Sequence, residues 1–134
     1  EMLHEVRILS TLRHPDLVLF LGACIDGLQP LVLTEFMPGG DLERYMRGQA
    51  SRSSGVWRPS WSLFLKWSSA VSRALAFLHG CSNPIIHRDL KPLNLLLTAN
   101  QELKVADFGI SKLMSPYSKV DTEVAPMMSG GVGT

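Results

Sequence analysis

Residues 85–97 constrain the fold most strongly, because polar side chains interrupt their apolar runs at fixed offsets. This segment and the residues after it predict three short buried strands: Ile85-Ile86, Leu95–Leu97 and Leu103–Val105. The turns where these strands end carry Asp89, Asn94 and Asp107, so three acid or amide side chains can converge. A carboxylate within reach of a hydroxyl proton, with an amide and a second carboxylate as hard oxygen ligands, is what magnesium-dependent phosphoryl transfer requires.

The same residues match a fixed pattern of letters. His87-Arg88-Asp89 is followed by four residues and Asn94, and then by Asp107-Phe108-Gly109. If each of the seven fixed letters occurs about once in twenty positions, a random start matches with odds on the order of one in a billion. The pattern resembles the catalytic segment of eukaryotic protein kinases, and Lys91-Pro92 is similar to the serine/threonine type rather than the tyrosine type.

The resemblance covers nearly the whole chain and is strongest to the tyrosine-kinase-like group. It is carried by EVRILSTLRHPDLVLFLGAC at 5–24 and DFGISKL at 107–113. It implies an α+β, bilobal protein-kinase-like fold, of which the chain is a fragment from the small-lobe regulatory helix to the activation segment. We expect part of the small lobe at 1–35, the hinge at 36–40 and part of the large lobe at 41–134. The Gly-rich loop, the strand Lys and the A-P-E region are then absent from the chain.

Composition narrows the class of protein. Of 134 residues, 46% are hydrophobic and 19% charged, and the net charge is +1 without a long run of one sign. These values favour a soluble globular protein and give no indication of nucleic acid or an anionic membrane as a partner. The longest apolar run, Leu17 to Ile25, has nine residues and is too short to cross a bilayer. Cys24 and Cys81 are interpreted as small core residues of a protein in a reducing, cytoplasmic compartment.

Periodicity and turn residues predict the other elements. The predicted elements are a helix at 1–13, antiparallel strands at 17–25 and 31–35, a short helix at 42–47, an exposed loop at 48–59 and a long helix at 60–78. The apolar stripe of the long helix comprises Leu63, Phe64, Trp67, Val71, Ala74, Leu75 and Leu78.

The kinase resemblance implies roles in catalysis. Asp89 would be the catalytic base for the substrate hydroxyl proton, and Lys91 would offset charge on the transferring phosphate. Asn94 and Asp107 would bind Mg²⁺, and Asn94 is also counted among the catalytic residues; its alternative is a turn-forming Asn. The implied cofactors are ATP and Mg²⁺, and the implied partner is a protein substrate with a Ser or Thr hydroxyl.

Further positions would contact the nucleotide. By resemblance Thr34 is the gatekeeper at the back of the pocket, and backbone groups of Glu35 and Met37 would bond the adenine edge. Leu96 matches the residue beneath the adenine. Asp41 has two compatible roles, as the cap of the following helix or as a contact to the ribose hydroxyls.

Another set of positions resembles the regulatory apparatus. Glu5 takes the place of the helix Glu that pairs with the strand Lys. Four residues from separate places match the regulatory spine: Leu9, Phe20, His87 and Phe108. His87 is therefore expected to be a packed core histidine rather than an acid. Arg88 would pair with a phosphate, and we hypothesise activation by phosphorylation within 115–134.

Two functions remain open. The first is a protein serine/threonine kinase that transfers the γ-phosphate of ATP to a protein hydroxyl, with residues 1–134 alone expected to be inactive. The alternative is a pseudokinase or kinase-like scaffold that binds partners without turnover. Every catalytic letter in the chain is intact, which favours the enzyme, and a missing Lys upstream would favour the scaffold.

Overall fold

The computed structural model describes residues 2–26 and 31–107, with side chains from residue 6 onward. Within these ranges the chain forms, in order, α1 (Met2–Thr11), β1 (Phe20–Cys24), β2 (Leu31–Thr34), β3 (Gly40–Asp41), α2 (Leu42–Arg52), α3 (Trp61–His79), a 3₁₀ turn (Pro92–Asn94), β4 (Leu95–Leu97) and β5 (Leu103–Val105). Helices and antiparallel strands together confirm the predicted α+β class. No helix in the described ranges has the length and apolarity needed to cross a membrane.

β1 and β2 form an antiparallel pair, as predicted, with α1 packed against β1. β1 is shorter than the apolar run from which it was predicted, because the first residues of that run are not part of the sheet formed by β1 and β2. Leu17 forms a parallel bridge with Val105 of β5, and the Val18 amide donates to the Val105 carbonyl at 2.9 Å. The apolar residues before Phe20 therefore join the two sheets.

The second sheet has the strand order β3-β4-β5, and both pairs are antiparallel. Gly40 pairs with Leu97. The last residue of the predicted hinge at 36–40 therefore belongs to a strand, and only residues 36–39 are irregular. Gly39 lies so close to β4 that a Cβ atom there would be 2.7 Å from both Cβ and the carbonyl oxygen of Leu97. This approach ties the segment after β2 to β4.

α3 packs against β5 of this sheet and contributes four buried residues to the core. The Ser60 hydroxyl caps it by accepting the Leu63 amide at 3.2 Å, and the helix ends before Gly80, as predicted. Its buried face consists of Trp67, Ala70, Ala74 and Leu78. Phe64 does not belong to this face: it is exposed and stacks on Trp61 with ring centroids 5.3 Å apart. The core therefore centres on Leu78, Leu97 and Val105, which are fully buried.

Three local predictions were wrong. α2 continues to Arg52, through the first part of the expected loop, because residues 48–52 contain no proline and the Asp41 cap stabilises the first turn. Ile85-Ile86 is not a strand; the Ile85 amide bonds to the Leu78 carbonyl at 3.0 Å, at the end of α3. Cys24 is exposed rather than in the core, whereas Cys81 is partly buried and its thiol donates to the Phe77 carbonyl.

Candidate active site

His87 links residues 87–89 to Ala106, the residue that precedes Asp107. Its side chain is 4% exposed, in agreement with the expected packed histidine. Nε2 lies 2.7 Å from the Ala106 carbonyl oxygen, and Nδ1 accepts the Asp89 amide at 3.3 Å. Nε2 must therefore carry the proton that is donated to Ala106, and the ring is a neutral structural link.

The Asp89 carboxylate is exposed and is held by two neighbours. Lys91 Nζ lies 2.8 Å from Asp89 Oδ2, and Asn94 Nδ2 donates to the same oxygen at 3.1 Å and to the Asp89 carbonyl at 2.8 Å. The hydrogen bond from Lys91, with smaller contributions from Asn94, lowers the pKa of Asp89 despite opposing desolvation. The carboxylate is therefore ionised at neutral pH and open to solvent on the side away from these donors.

The backbone brings Asp107 close to Asn94. The Ala106 amide donates to the Asn94 carbonyl at 2.9 Å, so Asp107 follows a residue bonded to both Asn94 and His87. Asp107 has φ +58°, and Arg88 has φ +66°. A non-glycine residue in the left-handed region costs on the order of 1–3 kcal/mol and persists where its surroundings determine it. Arg88 directly precedes Asp89, and Asp107 is itself one of the residues that the sequence singled out; Ser54 and Gln101 share this conformation elsewhere in the chain.

The donor set at Asn94 and Asp107 fits a hard cation. Asn94 is 6% exposed and uses its side-chain nitrogen on Asp89, which leaves Oδ1 to accept. Asp107 is exposed and adds carboxylate oxygens. An amide oxygen and a carboxylate, with room for waters and phosphate oxygens, are the ligands that Mg²⁺ prefers.

A small open cleft lies between α1, β1, β2 and β4. The cleft is lined by Leu9, Val18, Phe20, Thr34, Leu96, Ala106 and Asp107. Five of these residues were singled out from the sequence, so the structure brings together the predicted gatekeeper, two spine residues, the residue expected beneath adenine and a predicted metal ligand. Met37 is buried and packs with Val18 and Ala106 at the edge of this cleft.

The segment after β2 carries backbone groups of both kinds, bonded and unbonded. The Glu35 amide donates to the Leu19 carbonyl at 2.9 Å, and the Met37 carbonyl accepts the Gly40 amide at 3.1 Å. Within the described ranges, the Glu35 carbonyl and the Met37 amide form no hydrogen bond. One acceptor and one donor, two residues apart, are therefore available for a ligand.

The Glu35 side chain was not singled out from the sequence. Its Oε1 accepts the Leu19 amide at 2.8 Å and Lys104 Nζ at 2.7 Å, which joins β2 to β5. Partial burial raises the pKa of Glu35, but the bonds from Lys104 and Leu19 outweigh it, and the net pKa is lowered. The partners are 69 positions apart, so no local sequence signal indicates the pair.

Asp41 caps α2, since its Oδ1 accepts the Arg44 amide at 2.8 Å. This agrees with the capping role and leaves the ribose role untested. Arg88 is exposed next to Asp89. The Glu5 side chain, Phe108 and the hydroxyl residues within 115–134 lie outside the described part of the chain.

Comparison with known proteins gives protein kinases, both by family model and by individual relatives. The family model for protein tyrosine and serine/threonine kinases matches residues 1–128. The chain is 40% identical, over 91% of its length, to wall-associated receptor kinase-like 14 of Arabidopsis thaliana, and covers 17% of that protein. It is 39% identical over 96% of its length to probable serine/threonine-protein kinase PBL28 of the same plant, covering 33% of it. Receptor-like cytoplasmic kinase 176 of Oryza sativa subsp. japonica is 42% identical over 84% of the chain, which covers 28% of that relative.

Proposed function

The chain belongs to the protein tyrosine and serine/threonine kinase family, and on this premise we propose that the protein transfers the γ-phosphoryl group of ATP to a Ser or Thr hydroxyl of a protein substrate. The observation that carries the proposal is the Asp89 carboxylate, which is exposed to a substrate yet fixed by Lys91 and Asn94. Serine/threonine specificity is supported by Lys91-Pro92 and by similarity to probable serine/threonine-protein kinase PBL28.

Asp89 acts on the substrate hydroxyl. Its lowered pKa keeps it ionised, so it accepts the hydroxyl proton as the oxygen attacks the γ-phosphorus. The new bond joins this oxygen to phosphorus, the bond to the bridging oxygen breaks, and ADP leaves with that bond's electrons. Lys91 lies within 2.8 Å of Asp89, so its ammonium group can offset negative charge on the transferred group.

Asn94 and Asp107 are the proposed ligands of Mg²⁺. The metal, when bound, neutralises charge on the phosphates. Asn94 has two tasks in this proposal: its nitrogen holds Asp89, and its Oδ1 would bind the cation. The hydrogen bond from the Ala106 amide to the Asn94 carbonyl supports this proposal, because it holds Asp107 close to Asn94 and so to the proposed base.

The cleft lined by Thr34 and Leu96 is the proposed nucleotide site. The Glu35 carbonyl and the Met37 amide offer the acceptor and donor that an adenine edge requires, and the apolar lining suits the base. Asp41, at the start of α2, is the proposed ribose contact. A cytoplasmic location is proposed on similarity to receptor-like cytoplasmic kinase 176.

The test uses the full-length protein with radiolabelled ATP, Mg²⁺ and a generic basic protein substrate, followed by identification of the phosphorylated amino acid. We expect phosphoserine or phosphothreonine from the wild type. Asp89→Asn should lower kcat by roughly 10²–10⁴-fold while nucleotide affinity changes little. Asp26→Asn, a matched change at an exposed aspartate outside the cleft, should have no effect.

Phosphotyrosine as the only product would contradict the specificity. Wild-type protein that binds Mg²⁺ and ATP without phosphate transfer would contradict the enzymatic function and favour a binding scaffold. Full activity in Asp89→Asn would remove Asp89 from the catalytic role.

A further inference from the structure

Arg73 on α3 forms a bidentate ion pair with Asp16, in the turn between α1 and β1. Its Nε lies 2.7 Å from Oδ2 and its Nη2 lies 3.1 Å from Oδ1. The Asp16 side chain is 13% exposed and that of Arg73 57% exposed. The same turn makes a second contact with α3, since the rings of His14 and Phe77 have centroids 4.9 Å apart. Because Arg73 and Phe77 are four positions apart, one face of α3 holds the turn.

The main chain of this turn is bonded directly to β5. The Asp16 carbonyl accepts the Val105 amide at 2.8 Å, and the Val105 carbonyl accepts the Val18 amide at 2.9 Å. Val105 is fully buried, so neither of its backbone groups can bond to water instead. Asp16 therefore has two functions: its side chain binds α3 and its carbonyl fixes the register of β5.

β5 ends two residues before Asp107. Ala106 lies between them, with its amide on Asn94 and its carbonyl on His87. The left-handed backbone of Asp107 persists only while such bonds determine its conformation. A shift of Val105 would therefore be transmitted over two residues to the Asp107 carboxylate.

We propose that Arg73 is a positioning residue for phosphoryl transfer, which acts through Asp16 and Val105 to set the place of the Asp107 carboxylate. The inference rests on the proposed function, because it takes Asp107 to be a metal ligand. Arg73 itself is not one of the residues that line the cleft.

The exposure of the pair separates positioning from stability. An ion pair with one partner largely in solvent contributes little to folding. Displacement of a reacting group by about 1 Å can cost about 100-fold in rate. Loss of Arg73 should therefore affect the use of Mg²⁺ much more than the unfolding temperature.

The experiment compares full-length wild type with Arg73→Met, Arg73→Lys, Asp16→Asn and the double variant Arg73→Met/Asp16→Asn. The affinity for a fluorescent ATP analogue is measured with Mg²⁺ and with EDTA, and kcat is measured against Mg²⁺ concentration. Arg47→Met is the matched control, because Arg47 also pairs with an acidic residue, Glu43, but on exposed α2.

We expect Arg73→Met to reduce the Mg²⁺-dependent gain in nucleotide affinity about tenfold and to leave the affinity in EDTA unchanged. This effect is smaller than the roughly 100-fold loss in rate that a full 1 Å displacement can cause. Arg73→Lys keeps the charge and should recover part of the loss. The double variant should be no worse than either single variant, since both break the same link. Arg47→Met should match the wild type.

Three results would overturn the proposal. The first is a lower unfolding temperature for Arg73→Met with wild-type Mg²⁺ dependence, which indicates a purely structural pair. The second is a loss of affinity in EDTA equal to the loss in Mg²⁺. The third is additive losses in the double variant. If Arg73→Met does not fold, Arg73→Lys is judged by the same criteria. Wild-type protein that shows Mg²⁺-dependent nucleotide binding without turnover contradicts the kinase function, yet the affinity measurement still decides the role of Arg73.

Discussion

The side-chain amide of Asn94 lies 2.8 Å from the carbonyl oxygen of Asp89 and 3.1 Å from its Oδ2. One buried side chain thus fixes both the backbone and the carboxylate of a residue five positions earlier. The 3₁₀ turn that ends at Asn94 makes this return possible, because its closing bond runs from the Asn94 amide to the Lys91 carbonyl at 2.9 Å. The spacing of the two residues in the sequence is a requirement of this turn.

Asn94→Ala should lower kcat by about 10²-fold or more, because it releases Asp89 and removes a proposed metal ligand. The Mg²⁺ concentration for half-maximal activity should rise as well. Asn100→Ala is the control, since Asn100 is exposed in the turn between β4 and β5. Steady-state kinetics at several Mg²⁺ concentrations measure both effects. Unchanged Mg²⁺ dependence in Asn94→Ala would show that Asn94 is only a turn residue.

Lys91→Met should move the acidic limb of the kcat–pH profile to higher pH. The bond from Lys91 is the largest cause of the lowered pKa of Asp89. Catalysis needs the ionised carboxylate of Asp89, so activity is lost as the pH falls through the pKa of Asp89 in the folded protein. In the wild type this pKa lies below the ordinary value for Asp of about 3.9. Without Lys91 this loss should begin at higher pH. Lys66→Met, at an exposed lysine on α3, serves as the control. An unmoved limb would mean that Asp89 does not set it.

Local patterns predicted several of the secondary-structure elements, because periodicity and turn geometry are both short-range. β4, β5, the Asp41 cap and the limits of α3 followed from periodicity and turn residues. Ile85-Ile86 was mistaken for a strand because a two-residue apolar run does not reveal whether a neighbouring strand exists. The end of α2 was missed because polar and small residues can extend a capped helix without an apolar stripe.

Long-range ion pairs could not be predicted from the sequence. Asp16 and Arg73 are 57 positions apart. Within its own segment, each resembles an ordinary charged residue on the surface. Their pairing depends on how the turn after α1 packs on α3, which is a property of the tertiary fold. The exposure of Cys24 also depends on the tertiary fold, because its apolar neighbours in sequence do not cover it in the structure.

The pair between Glu35 and Lys104 should stabilise the fold in a pH-dependent way. Glu35 has a lowered pKa, so its contribution is complete above the unfolded value of about 4.3 and is lost as pH falls through the folded value. Urea unfolding of wild type and Glu35→Gln should therefore differ at pH 7 and converge on acidification.

A double-mutant cycle with Lys104→Met should give a coupling free energy of about 1 kcal/mol at neutral pH. The exposed pair Glu43 and Arg47 gives the comparison, with an expected coupling of about 0.3–0.5 kcal/mol. A coupling for Glu35 and Lys104 no greater than this value, or independent of pH, would show that the pair adds nothing beyond an ordinary surface contact.

Gly39→Ala should destabilise the protein and weaken nucleotide binding, because the added Cβ would lie 2.7 Å from two atoms of Leu97 and 2.8 Å from the Thr98 carbonyl oxygen. Two of these three atoms belong to the backbone, so a side-chain rotation cannot relieve the overlap. The segment would have to move away from β4 and take Met37 with it. Thermal unfolding and titration with an ATP analogue measure the two effects.

Gly48→Ala is the matched control, because Gly48 lies within α2 and an added Cβ would meet no atom within 4 Å. Alanine in a helix is favoured over glycine by about 0.5–1 kcal/mol, so this variant should be more stable than the wild type and bind nucleotide normally. The same chemical change is thus expected to act in opposite directions at two glycines of one chain. If Gly39→Ala were as stable as Gly48→Ala and bound nucleotide normally, the close approach of Gly39 to β4 would not constrain the segment after β2, contrary to this prediction.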